Sequence, residues 1–353
     1  MTAVNLGVEQ SGRAVELDVL RGLSALAVIV LHAGSDPLTE QAALGHASWT
    51  LLVPNVAARF AVPVFMMLSG MGLTLSARRA ETYPRFVWRR LSSIVPEYVV
   101  WTFIYAWLLP HDEPMSGRTL LDYLITGHAS RHLYFVPAVV RLYLLYPVLR
   151  YFARGAWGVA GCCALSWSMI WLSPLLEHMP LGALLSDVLP LRWIGYFVLG
   201  IWLAQARASN SGAALPSIRV FAPLFVLACI VAIVRYVIAQ SADIEVALDA
   251  AEPLVFPYSV CVLLWWSGLT FTDGKLVRFL TFVSDHSYGV YLSHSLMLYV
   301  CAISLQALPI EHTHLMLFAT GVVFGIPLSL ATAWLNDRIK RARFRSTEAL
   351  SPA

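Results

Sequence analysis

The sequence predicts an all-α, polytopic membrane helix bundle, and three observations carry that reading. Of 353 residues, 58% are hydrophobic and only 13% charged, where soluble domains average ~25% charged. The mean hydropathy is +0.68. Apolar stretches long enough to cross a bilayer core of ~30 Å recur about ten times, and the cations between them fall on alternate turns.

The spans are expected near residues 17–35, 56–76, 93–109, 133–151, 157–176, 190–206, 220–240, 253–272, 279–303 and 314–335. The first follows a mixed-polar stretch and lacks an A-x-A-like cleavage site after its apolar run, so it is expected to stay as a helix. The second contains PVFMMLSGMG (63–72), whose Ser69–Gly70 pair suits close helix approach. The third follows an arginine-rich stretch. The fourth opens on HLYFVP (132–137) and is interrupted by Arg141 and Pro147. Tyr134 and Phe135 fit an interfacial aromatic belt there. The ninth contains SYGVYLSH (287–294). All five cysteines (Cys162, Cys163, Cys229, Cys261 and Cys301) lie in apolar runs and read as small buried hydrophobes.

Loop charge sets the orientation. Arg13, then Arg78, Arg79, Arg85, Arg89 and Arg90, then Arg150 and Arg154, Arg207 and Arg219, and Lys275 and Arg278 share one side with the tail cations Arg338, Lys340, Arg341, Arg343 and Arg345. Asp112, Glu113, Asp122, Glu177, Asp187, Asp243, Glu245, Asp249, Glu252 and Glu311 fall on the other. The positive-inside rule then places both termini in the cytoplasm. Residues 1–16 are expected to be a cytoplasmic N-terminal segment, 17–335 the membrane domain, and 336–353 a basic cytoplasmic tail. No repeat or Gly/Ser/Pro-rich linker suggests a second domain. The 110–132 loop reads mainly as solvated, with His111, His128, Arg131 and His132 as binding candidates.

Chemistry is expected on the first helix. LDVLRGLSALAVIVLHA (17–33) carries Asp18, Arg21 and His32 within an apolar run. Arg21 and His32, eleven residues apart, share a helix face with a rise of roughly 16 Å between them. Intramembrane ionisable groups are costly and usually line a pathway or site. Asp18, three residues before Arg21, is placed to pair with it. An interfacial ion pair and a helix-end histidine explain these residues separately, but not their common face. The Arg78–Arg90 loop reads either as a positive-inside loop or as a seat for an anionic ligand, and composition does not choose. Tyr291 and His294 share a face three residues apart, balanced between packing and function. P-loop, GxSxG, Rossmann and metal-ligand spacings are missing, and no basic–aromatic surface suggests nucleic acid.

The ordered set of motifs resembles the acyltransferase-3 family of integral membrane acyltransferases, of the standalone O-acetyltransferase type. LDVLRGLSALAVIVLH resembles its opening signature, PVFMMLSG its second-helix motif and RRLSSIVP its third-helix entry. HLYFVP and SYGVYLSH resemble its later aromatic–histidine and tyrosine–histidine elements, over residues 16–335. The resemblance implies ten membrane helices in a cell inner membrane and transfer of an acyl group, usually acetyl, from cytoplasmic acetyl-CoA. The implied acceptor is a hydroxyl of a cell-surface glycan, lipid-linked sugar or similar molecule.

Carried over to this chain, the resemblance makes His32 the catalytic histidine and Arg21 its partner. Asp18, Ser69, Tyr134, Tyr291 and His294 are supporting residues, and Arg85, Arg89 and Arg90 hold the donor. Ser93 stands where the family often has a further arginine, and Tyr134 where tryptophan is common. Acyl-CoA is a co-substrate rather than a bound cofactor, no metal is expected, and the partners are membrane lipid, acyl-CoA and the acceptor. A polysaccharide or lipid exporter using the same charged path is the alternative reading.

Overall fold

A computed structural model describes residues 15–43, 48–76, 82–109, 116–176, 179, 182, 188–208, 216–239 and 244–349. Arg13, Arg78, Arg79, His111, Asp112, Glu113, Glu177, Asp187 and Asp243, named above, lie outside them, as does most of the 1–16 segment. The described chain is helical throughout, with no strand among these residues. The helices of the first half are α1 (Val15–Ala43), α2 (Trp49–Ala58), α3 (Ala61–Leu75), α4 (Tyr83–Leu108), α5 (Gly117–Thr126), α6 (Phe135–Phe152) and α7 (Ala156–Leu176). The second half adds α8 (Leu191–Ala208), α9 (Pro216–Ala239), α10 (Ile244–Ala250), α11 (Glu252–Trp266), α12 (Lys275–Asp285), α13 (Ser287–Gln306) and α14 (His314–Ala349).

Eight helices or helix pairs in the described chain are long and apolar enough to cross a membrane. The two other expected spans fall on α8 and α11. Helix α8 carries Arg192 and Arg207, and its stretch from Trp193 to Ile201 is buried throughout, so protein rather than lipid covers it. Helix α11 has 15 residues and by itself reaches only roughly 22 Å.

The helix boundaries revise several expectations. The span expected from residue 93 begins at Tyr83, so Arg85, Arg89 and Arg90 stand on a helix and not in a loop. Pro84 in the first turn explains the early start, since its fixed φ is already helical and its missing N–H is not needed there. The second span divides into α2 and α3 at Arg59–Phe60, and the ninth into α12 and α13 at His286. Helix α14 continues past residue 335 to Ala349, so most of the expected tail extends the last helix. Helix α6 is continuous through Arg141 and Pro147, with Pro147 exposed. Part of the 110–132 loop is the short helix α5, capped by the Ser116 hydroxyl at one end. At its other end Gly127 adopts φ 90°, where a side chain would also collide with the backbone of Leu133 and Tyr134.

Helix α1 is the hub, packing on α2, α3, α12, α13 and α14. At the arginine-rich side Trp266 donates to the Glu16 carbonyl at 3.0 Å, and Arg207 pairs with the Glu16 carboxylate at 3.0 Å. A second tight seam joins α3 to α8. A Cβ on Gly70 would strike the Phe197 carbonyl, and one on Gly200 the Met67 carbonyl. The two backbones therefore meet glycine against chain in both directions, as small residues allow in membrane interfaces. This seam holds the Ser69 turn of α3 in place.

Candidate active site

On α1 the charged residues occupy two levels. Near the arginine-rich side Asp18 is buried, lies 3.4 Å from the Arg21 guanidinium, and accepts from the Ser284 hydroxyl of α12 at 3.4 Å. Arg21 points toward α3, where Gly72 provides room: a Cβ there would lie 3.8 Å from Arg21 Nη2. Three turns on, the helix is tied to α2. The Leu31 carbonyl accepts from Ser35 Oγ at 2.8 Å and from Asn55 Nδ2 at 3.1 Å. Pro37 follows within the same helix; lacking an N–H, it leaves the Ala33 carbonyl without its helical donor. His32 stands in this turn.

Two further histidines meet His32. The ring centroids of His32 and His294 are 5.1 Å apart, those of His132 and His294 4.6 Å, and those of His32 and His132 6.2 Å. His132 comes from the turn before α6, and its carbonyl accepts the Tyr291 hydroxyl. His294 Nδ1 lies 2.7 Å from the Tyr291 carbonyl. A carbonyl only accepts, so Nδ1 carries the hydrogen and Nε2 of the neutral ring presents a lone pair. Among the described residues, Nε2 of both His132 and His294 is buried without a hydrogen-bond partner.

The turn that carries His294 has its own support. The Tyr105 hydroxyl of α4 donates to the Leu292 carbonyl at 2.8 Å and accepts from the Leu296 N–H at 3.1 Å. These are the two groups that an uninterrupted helix would pair with each other. The inserted hydroxyl thus fixes α13 around His294 while keeping both backbone groups satisfied. Tyr105 is fully buried, and its ring also stacks edge-on against His132 at 5.1 Å.

Three cavities surround these groups. The first, about 500 Å³, lies toward the arginine-rich side and is lined by Arg21, Ser69, Gly72, Arg90, Tyr143 and Tyr291. The second, about 160 Å³, is lined by His32, Arg59, His132, Tyr134, Arg192 and Tyr291, with Glu252. The third, about 850 Å³, has His32, Asp36, Arg131, His132 and Tyr299 in its wall. Tyr291 is common to the first two, and His32 and His132 are common to the second and third. Arg21 and His32 thus border neighbouring cavities, and Tyr291 lines both.

The expected site residues divide accordingly. His32, His294, Tyr291 and Tyr134 come together, with Tyr134 stacked on Trp193 at 6.0 Å. Arg21, Asp18, Ser69 and Arg90 form the other group, in which Arg90 also donates to Ser76. Ser93, which stands where the family often has arginine, lines the same cavity as Arg90. Arg89 packs on the Phe86 ring at 5.9 Å, and Arg85 is exposed.

In the sequence His132 reads mainly as a loop residue, and nothing local singles out the Arg192–Glu252 pair, whose charged atoms lie 2.5 Å apart in the fold. The signal for Arg59 was present: it is a lone arginine inside the apolar segment LLVPNVAARFAVPVF. Among the described residues, no group of three or more metal-binding side chains has metal-ligand geometry.

A helical membrane protein with an arginine- and histidine-lined interior is the class that fold and cavities define. The acyltransferase domain of the acyltransferase-3 family matches residues 15–335, and the chain belongs to that family. Its general activity is therefore that of a membrane acyltransferase. No curated protein and no solved structure gives a significant match.

Proposed function

We propose that the protein transfers an acyl group, acetyl in the first instance, from acyl-CoA to the hydroxyl of a cell-surface glycan or lipid-linked sugar. The membrane is then a plasma (inner) membrane, with the arginine-rich side facing the cytoplasm. The observation that carries this reading is Tyr291, shared by a cavity lined with Arg21 and Arg90 and a cavity lined with His32. Guanidinium groups suit the phosphates of CoA. The pantetheine arm is slender enough to pass from them toward the imidazole, and Arg85 and Arg89 add positive charge on the same helix.

His32 takes the proton of the acceptor hydroxyl, whose oxygen attacks the thioester carbonyl carbon. As the ester bond forms, the C–S bond breaks. The CoA thiolate leaves and recovers the proton from the imidazolium, so CoA thiol and acylated acceptor are the products. His294, with Nδ1–H engaged by the Tyr291 carbonyl, packs beside the His32 ring and restricts its orientation. Arg21, balanced by Asp18, steadies the donor.

The test is acetyl release from acetyl-CoA by purified protein supplied with membrane extract. His32→Ala should lower the rate by about 10²-fold or more while inserting at the wild-type level. A wild-type rate in that variant refutes the assignment of His32. Glycan movement into vesicles with no acyl donor present would favour export instead.

A further inference from the structure

Arg59 stands where the second membrane span is broken, ten residues in from Trp49 and sixteen from Leu75. A guanidinium at such a depth is expected to face a carboxylate or the interior of the bundle. The neighbouring cation, Arg192, has its carboxylate in Glu252 at 2.5 Å. Arg59 differs. Among the described residues its side chain makes one hydrogen bond, from Nε to Asn55 Oδ1 at 3.4 Å, and no carboxylate oxygen lies within 4.0 Å. The terminal nitrogens of its fork are thus left to the spaces that it lines. These are the His32 cavity and a side cavity of about 230 Å³ shared with Asn55, Arg131 and Asp249.

The His32 cavity is lined by two guanidinium groups, Arg59 and Arg192, against the single carboxylate of Glu252, so its wall carries an excess of positive charge, with Asp249 acting on Arg59 from the side cavity. A half-buried guanidinium with no carboxylate in direct contact is well complemented by a bidentate oxyanion. The same cavity has an aromatic surface: Tyr134 is stacked on Trp193 at 6.0 Å, with the Arg192 guanidinium 5.5 Å over the Trp193 ring. Aromatic faces of this kind pack well on the C–H face of a sugar ring. The larger cavity reached past His32 and His132 gives the remainder of such a molecule a place on the side away from Arg21.

From this geometry we infer that Arg59 binds an oxyanion on the acceptor, so that the molecule acylated at His32 is an acidic sugar, carrying a carboxylate or a phosphate. This deepens the acyltransfer reading and rests on it for the position of the reacting hydroxyl. The anion site itself stands on Arg59 alone.

The experiment uses full-length protein in detergent and three probes: glucuronate, glucose 1-phosphate and glucose. Binding is read as a rise in melting temperature with probe concentration, and transfer as probe-dependent acetyl-CoA consumption. At least one anionic probe should raise the wild-type melting temperature where glucose does not. Arg59→Gln should abolish that rise, and Arg59→Lys should weaken it while preserving its sign, because lysine keeps charge without the fork. A response to glucuronate alone identifies a carboxylate-bearing sugar, and one to glucose 1-phosphate alone a phosphate-bearing one.

Should Arg59→Gln fail to fold, Arg59→Lys decides: a response equal to wild type overturns the inference. Equal responses to glucose and to both anions, or none to either anion, also overturn it. Acetyl transfer that persists without any anion effect removes only this inference. Anion binding through Arg59 without acyl transfer removes the acyltransfer reading and leaves the anion site.

Discussion

The imidazole of His294 lies 5.1 Å, centroid to centroid, from that of His32, although the two are 262 positions apart in the chain. His294 donates through Nδ1 to the Tyr291 carbonyl, so its Nε2 is left as an acceptor inside the histidine cluster. In the proposed mechanism it is therefore a neighbour that restricts the orientation of His32, and not a second base.

That relation predicts a graded loss. His294→Phe should retain the fold, because the ring volume is kept, but should lower acyl transfer by about 10²-fold through misplacement of His32. His294→Gln, which keeps a hydrogen-bonding group, should recover part of that loss. Rates of acetyl-CoA consumption at matched membrane expression measure both. Equal activity in His294→Phe and wild type would show that His32 needs no such partner.

Tyr105→Phe removes the hydroxyl between the Leu292 carbonyl and the Leu296 N–H. Either the helix closes on itself and turns His294, or two buried backbone groups lose a partner at a cost of about 1–3 kcal/mol each. A lower melting temperature together with lower activity is expected. Thermal unfolding in detergent and the acetyl-CoA assay read the two effects independently.

Arg90 and Arg85 should separate in donor kinetics. Arg90 borders the Arg21 cavity, whereas Arg85 is exposed. Arg90→Ala should raise the KM for acyl-CoA by about tenfold or more, in keeping with loss of a charge-assisted hydrogen bond. Arg85→Ala should change it by less than about threefold, since exposed charges contribute little. Steady-state kinetics with varied acyl-CoA would contradict this assignment if the order were reversed.

The seam between α3 and α8 makes a stability prediction. Gly200→Ala places a methyl group against the Met67 carbonyl, so the helices must separate. A cost of about 1–3 kcal/mol is expected, as for other overpacked sites. Ala204, buried on the same helix, is a control position at which Ala204→Gly removes a methyl group without forcing that seam apart. Melting temperatures of the two variants should differ, with Gly200→Ala the lower.

Much of this architecture is written locally in the chain. Apolar runs locate the spans, and the eleven-residue spacing of Arg21 and His32 puts them on one face of α1. Other features depend on the fold. Arg59 reads as an end residue of a span that begins near 56, but the span starts at Trp49 and places it at the break between α2 and α3, well inside the crossing. Arg85, Arg89 and Arg90 look like loop cations until Pro84 is recognised as a first-turn residue. His132 belongs to a turn and gains meaning only when the Tyr291 hydroxyl anchors its carbonyl beside α13. Convergence of three histidines from different elements depends on topology, which periodicity along one strand of sequence does not encode.

The hub position of α1 has a consequence for biogenesis. Asp18 finds Ser284, 266 positions further along the chain, and His32 finds His294, 262 positions further. Helix α1 therefore lacks these partners until α12 and α13 have been delivered. Such long-range closure slows assembly and prolongs exposure of incomplete intermediates. A nascent chain that stops before Lys275 lacks these partners of both Asp18 and His32.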